Sequence, residues 1–249
     1  MVGGATAVLA RPRVLLGAAL LAVLAAYYYG HGVLPDLRRW PDVAFLALVL
    51  IPAVFTLMLV ALPLRRRRWL PAVGVGAVVL AIACELLDWE VANFFFKVVA
   101  TTALGFWFLG LFEALWWAVL VACIIPLVDA YSVWRGPTRH IVEEREEVFV
   151  TLSVGFPVWG DEGTANLGLP DLFFFAIFLA AAARWNLRVG WTWLAMALSF
   201  GTTLAIAVRW GIGGLPALPI LCFGFLLPNA DLLWREVRRA WAARGARTA

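Results

Sequence analysis

This sequence carries little charge. Of its 249 residues only 14% are acidic or basic, whereas 64% are hydrophobic and the mean hydropathy is +0.90. A soluble domain is about half apolar and roughly a quarter charged, so an ordinary globular body is excluded and an integral membrane protein is expected. Cysteine is scarce too. Cys84, Cys123 and Cys222 stand singly within apolar runs, with neither a disulfide framework nor metal-ligand spacing, and read as small buried hydrophobes. No metal or cofactor is expected. The chain also lacks a convincing internal repeat and any polar stretch large enough for a separate soluble domain. The apolar run from Val14 has no clear small-residue cleavage site after it, so it reads as a retained helix. A net charge of +4 and a pI near 9.3 could suggest nucleic acid, but the arginines sit at the ends of apolar runs. That placement fits membrane flanks and no nucleic-acid partner.

About 20 residues cross the hydrocarbon of a bilayer, and at that length the chain divides into about eight spans. The expected segments are Val14–Leu34, Val43–Pro63, Leu70–Leu87, two helices within Val91–Trp134 broken near Gly105–Gly110, then Leu169–Ala183, Val189–Val208 and Leu215–Trp234. Arg135–Asn166 is the long polar connection, solvated over Arg139–Glu147 and strand-like in composition over Val148–Val154. The expected fold is all-α, a polytopic transmembrane helix bundle forming a single membrane domain over residues 1–249. Helices occupy 1–134, an extramembrane loop 135–167, and further helices 168–249.

With connections alternating sides, the N-terminus, Arg65–Arg68, Arg184, Arg188 and the tail (Arg235, Arg238, Arg239, Arg244, Arg247) share one face. The other face carries fewer arginines: Arg38, Arg39, Arg135, Arg139, Arg145 and Arg209. The positive-inside tendency then makes both termini cytoplasmic. Ionisable residues within spans cost several kcal/mol unless compensated. Lys97, Glu113 and Glu85 read as snorkelling or turn residues near helix ends, and Asp231, beside Pro228-Asn229, as interfacial.

Asp129 and Asp171 stand apart. Asp129 lies about five residues before its helix ends, and Asp171 two or three after the next one begins. At about 1.5 Å per residue, both lie within a turn or two of one membrane face. The turn Gly211–Gly214 brings Leu215-Pro216-Ala217-Leu218-Pro219 to the same face. Two carboxyl groups held together share a proton, so one acts as base towards a water while the other polarises a carbonyl, the chemistry of amide hydrolysis by paired aspartates. Lone satisfied aspartates and a transport relay are the alternatives.

The stretches carrying these acids have a family likeness. Ile125-Pro126-Leu127-Val128-Asp129-Ala130-Tyr131-Ser132-Val133-Trp134 resembles the first-aspartate helix of the presenilin and signal peptide peptidase family, particularly its microbial members. Leu167-Gly168-Leu169-Pro170-Asp171 is similar to that family's Gly-x-Gly-Asp motif, and Pro216-Ala217-Leu218 to its Pro-Ala-Leu motif. The resemblance covers roughly the C-terminal half. It implies a bundle of nine helices and an intramembrane aspartyl protease that hydrolyses peptide bonds of transmembrane helices within the lipid bilayer. Asp129 and Asp171 would be catalytic, and Gly168, Leu169, Pro170, Pro216, Ala217 and Leu218 would hold unwound substrate. Either Val148–Val154 or the residues just before Gly168 would offer a strand edge to that substrate.

Two positions depart from the family pattern. Val128 stands where the family has Tyr, with Tyr131 one turn on. Pro170 stands where it has Gly, and Pro fixes φ and carries no N–H. Three readings remain open: the protease, a weak or inactive relative that binds transmembrane segments, and a proton-coupled transporter. Prepilin peptidases share a Gly-x-Gly-Asp-like motif but carry Lys shortly after the acid, where Leu172-Phe173 stand here.

Overall fold

The computed structural model describes residues 3–135, 150–161, 163–212 and 215–238. The solvated run Arg139–Glu147, residues Val148 and Phe149, the glycines Gly213 and Gly214 and the arginines of the tail from Arg239 lie outside them. The described part is all-α apart from one hairpin. Its helices are α1 (Gly3–Gly30), α2 (Arg39–Phe45), α3 (Ile51–Ala61), α4 (Leu70–Leu86), α5 (Glu90–Leu109), α6 (Leu115–Arg135), α7 (Leu169–Arg184), α8 (Val189–Trp210) and α9 (Leu218–Leu226), the last continued by a 3₁₀ turn at Leu227–Asn229 and further helix over 230–238. Strands β1 (Ser153–Pro157) and β2 (Thr164–Gly168) pair antiparallel between α6 and α7.

Among the described residues, five helical stretches are long and apolar enough to cross a membrane: Pro12–Val33, Arg39–Arg66, Glu90–Leu109, Leu115–Ser132 and Val189–Trp210. Leu70–Leu86 is apolar but shorter. The second stretch is one rod made of α2, a π-turn at Leu46–Leu50, α3 and a 3₁₀ turn to Arg66. Pro52 explains the π-turn. Its missing N–H and bulky ring disturb the carbonyl one turn earlier, and a widened turn absorbs the mismatch without breaking the helix. Between α5 and α6 the chain turns at residues 110–114, just past the break expected near Gly105–Gly110, and Glu113 lies exposed in that turn.

Packing follows the rule for helices in lipid, with small residues at contacts and large apolar ones outside. On α4, Gly74, Ala77, Ala81 and Cys84 are buried, while Val75, Val79, Leu80 and Ile82 are exposed. Gly105 of α5 touches α7 so closely that an added Cβ would stand 2.8 Å from Ala176 Cβ and 2.9 Å from Phe173 O. Helix α7 is the centre of the bundle: every residue from Phe175 to Ala182 is fully buried, the mark of a helix enclosed on all sides. Phe175 stacks on Phe55 of α3 at 3.9 Å and Phe178 on Phe225 of α9 at 4.8 Å.

Contacts between helix ends sort them into two faces. Arg39 at the start of α2 donates to Val208 O near the end of α8, and Tyr27 and Tyr28 at the end of α1 reach the hairpin. At the other face, Arg65 past α3 donates to Ala183 O at the end of α7, and Arg184 to Leu109 O at the end of α5. The helices thus run alternately up and down.

Two expectations need correcting. Lys97 lies well inside α5 rather than near an end, and it pairs with Glu85 of α4 at 3.1 Å. The Asn93 amide also donates to Glu85, and Thr151 Oγ1 lies 3.4 Å from its other oxygen. Charge is balanced across two helices, so neither side chain has to snorkel. Of the stretch Val148–Val154 read as strand-like, the described Val150 and Thr151 are helical, and the strand begins at Ser153 and includes Gly155 and Pro157, residues that strand propensity disfavours. The backbone of Pro157 points away from β2, where no ladder N–H is required.

Candidate active site

Asp129 sits one and a half turns before the end of α6, and Asp171 is the third residue of α7. The two carboxyl groups lie within electrostatic reach of each other. Each is also bound to a helix N-terminus, where backbone N–H groups lack intrahelical partners and the helix dipole favours an anion. Asp129 Oδ2 accepts the backbone N–H of Leu218, the first residue of α9, at 3.2 Å. The Asp171 carboxylate meets the backbone N–H of Gly168, the N-cap of its own helix. That is the acidic half of a capping box. Both acids are half-buried.

The local sequence builds this arrangement. Gly168 is extended at φ −60° and ψ 141°, so β2 passes straight into α7 without a loop. A Cβ on Gly168 would stand 3.2 Å from Asp171 Oδ2, and glycine therefore keeps that carboxyl approachable. Pro170 falls in the first turn of α7, where its fixed φ suits the helix and its absent N–H is one of the orphans anyway. It is exposed, and Leu169 is half-buried. Across the site, Ala217 and Leu218 are buried and Pro216 half-buried. Helix α9 packs against both α6 and α7, so the Pro-Ala-Leu stretch closes the side of the acid pair.

Val128 and Tyr131 share a face of α6, and it points outward: they are 55% and 65% exposed. The Tyr131 hydroxyl therefore does not substitute for a hydroxyl beside the acids. Cys222, one turn past Leu218 on α9, is a buried neighbour within electrostatic reach of both acids. Sequence reasoning treated it as core only; the i, i+4 spacing from Leu218 is the signal that places it here.

The hairpin adds backbone groups to the site. Leu169 donates to Leu152 O and Val158 to Gly163 O, which fixes the ladder's phase. Gly155 and Pro157 of β1, and Thr164, Asn166 and Gly168 of β2, point their backbone groups outward. On the β1 side two outward carbonyls are taken: Tyr28 donates to Gly155 O at 3.1 Å and Tyr27 to Pro157 O at 2.9 Å. The outer edge of β2, which runs into Asp171, is exposed at Thr164 and Asn166.

Compared with protein-family models, the sequence matches none, and no curated protein matches it. Among the described residues no cluster of three or more His, Cys, Asp or Glu could hold a metal ion.

Proposed function

We propose that this chain is an intramembrane aspartyl protease, a presenilin-like hydrolase that cuts transmembrane helices of other proteins, with Asp129 and Asp171 as its catalytic pair. The observation that carries the proposal is that the two carboxyls, from different helices, lie within electrostatic reach of each other at one end of the bundle, with Asp129 bound to the first N–H of α9. In the mechanism one carboxyl is ionised and takes a proton from a water bridging the pair. The other is protonated and donates to the carbonyl oxygen of the scissile bond. Water adds to that carbon, the tetrahedral intermediate collapses, and the departing nitrogen takes up a proton.

A helical substrate hides its carbonyls in internal hydrogen bonds and has to unwind before it is cut. The outward groups of Thr164 and Asn166, with the carbonyl of Gly168, can replace those bonds by strand addition, which would lead the extended substrate past Asp171. Helices whose outer faces carry large apolar residues support a multi-pass membrane location, and the arginine distribution supports a cytoplasmic C-terminus.

The test is reconstitution in liposomes with a panel of single-span substrates. Wild type is expected to cleave, and Asp129→Ala and Asp171→Ala each to lose at least about a thousandfold in rate. Cleavage that persists in both variants would sink the mechanism. A second reading, a non-catalytic relative that holds transmembrane segments, is favoured by one observation: both acids already serve as helix caps. Cleavage that appears only in Pro170→Gly would select that reading.

A further inference from the structure

At the end of the bundle opposite the two acids, a cavity of about 470 Å³ opens between the end of α3, the start of α4 and the last turns of α5 and α7. Arg65, Arg66, Arg67 and Arg184 line it, and no carboxylate does. Two of these guanidinium groups are fixed in place by helix ends. Arg65 donates to Leu62 O and Ala183 O, both at 3.3 Å, and Arg184 to Leu109 O at 2.8 Å. Ala183 O lies in the last turn of its helix, where carbonyls lack intrahelical partners, and Leu109 O also accepts the Phe112 N–H at 3.1 Å. The Nε of Arg65 is buried and has no protein partner, an arrangement that is costly unless a ligand supplies an acceptor. Arg66 and Arg67 are exposed at the mouth and, among the described residues, have no acidic partner. The other wall is apolar: Phe106 and Leu70 are buried beneath Trp107, which is 42% exposed.

Anchored and exposed guanidinium groups, with no counter-ion among the described residues, beside an apolar wall suit an amphiphile with an anionic head. We infer that this pocket binds the phosphate headgroup of an anionic phospholipid. Guanidinium forks pair bidentately with phosphate oxygens, and basic pockets between helix ends suit lipid headgroups at the cytoplasmic surface. The glycerol and first methylenes lie against Trp107 and Phe106, contacts that a free phosphate cannot make. The inference rests on the reading of the chain as membrane-embedded and is independent of the protease reading.

Native mass spectrometry of the delipidated protein, titrated separately with phosphatidylglycerol, phosphatidylcholine and inorganic phosphate, tests it. Wild type is expected to retain one phosphatidylglycerol in preference to phosphatidylcholine. The double variant Arg66→Gln/Arg67→Gln should bind it about twentyfold more weakly, with an unchanged melting temperature in the absence of lipid. Arg68→Gln, at a position that does not line the cavity, should bind as wild type does. Equal weakening by Arg68→Gln and by the double variant would overturn the pocket in favour of diffuse surface charge. Competition by inorganic phosphate at equal concentration would overturn the lipid assignment. Carbonate washing of membranes reads the underlying premise separately: protein released by the wash fails the membrane reading, whereas retained protein that takes up no phosphatidylglycerol fails this inference.

Discussion

Asp129 and Asp171 are held in different ways. Asp171 is tied within its own helix, to the Gly168 N–H three residues back, whereas Asp129 is tied across a helix gap to Leu218. The position of Asp129 therefore depends on how α9 docks. Asn229 sets that docking at the far end. It is fully buried, with its amide donating to Thr192 Oγ1 and Phe225 O, both at 2.8 Å, and its carbonyl oxygen accepting the Arg188 N–H at 3.0 Å. Replacing Asn229 by Ala leaves those partners buried without their bonds and is expected to cost roughly 1–3 kcal/mol, measured as a lower unfolding midpoint in detergent. The neighbouring ion pair of Arg188 with Asp231, at 2.7 Å, is exposed and adds little. Sequence alone singled out Asp129 and Asp171 because their depths could be counted along helices, and Leu218 through the turn that leads into it and its likeness to a Pro-Ala-Leu motif. Asn229 and the Glu85–Lys97 pair were not legible, since what matters for each is a partner on another helix.

For whole elements, hydropathy located most of the helices and missed their irregularities. Leu70–Leu86 falls within a residue of its expected end, because proline at its start and a turn after it bound a purely apolar run. The π-turn in the second rod was invisible, since Pro52 in an apolar run reads equally as a kink or a break. The hairpin was half legible: its β-branched stretch suggested a strand, but the strand's true position follows from Tyr27 and Tyr28, more than a hundred residues away. The ladder's phase gives a sharp prediction for β2. Asn166→Pro removes an outward N–H and leaves the bonds to β1 intact, so the hairpin should persist while substrate cleavage falls. Leu167→Pro strikes the ladder itself and should disturb folding as well. Equal cleavage by Asn166→Pro and wild type, with proline confirmed to be tolerated by thermal unfolding, would remove the strand-addition route.

Across the molecule, the two ends of the bundle differ in chemistry. One carries the paired acids, the hairpin and the start of α9. The other carries arginines that cap the ends of α3, α5 and α7. Alternating helix ends put the end of α9 on the arginine side. A tag fused at residue 249 should therefore be digested by protease in inverted membrane vesicles and protected in right-side-out ones; protection in inverted vesicles would reverse the orientation.

Because Tyr27 and Tyr28 occupy the Gly155 and Pro157 carbonyls on the outer side of β1, the hairpin is open to growth along β2. This fixes a stoichiometry. A single extended segment fills the β2 edge, and no further strand can follow on the other side. Two copies pairing β2 to β2 would use up both edges and stop at a dimer, so the edge cannot propagate into a fibre.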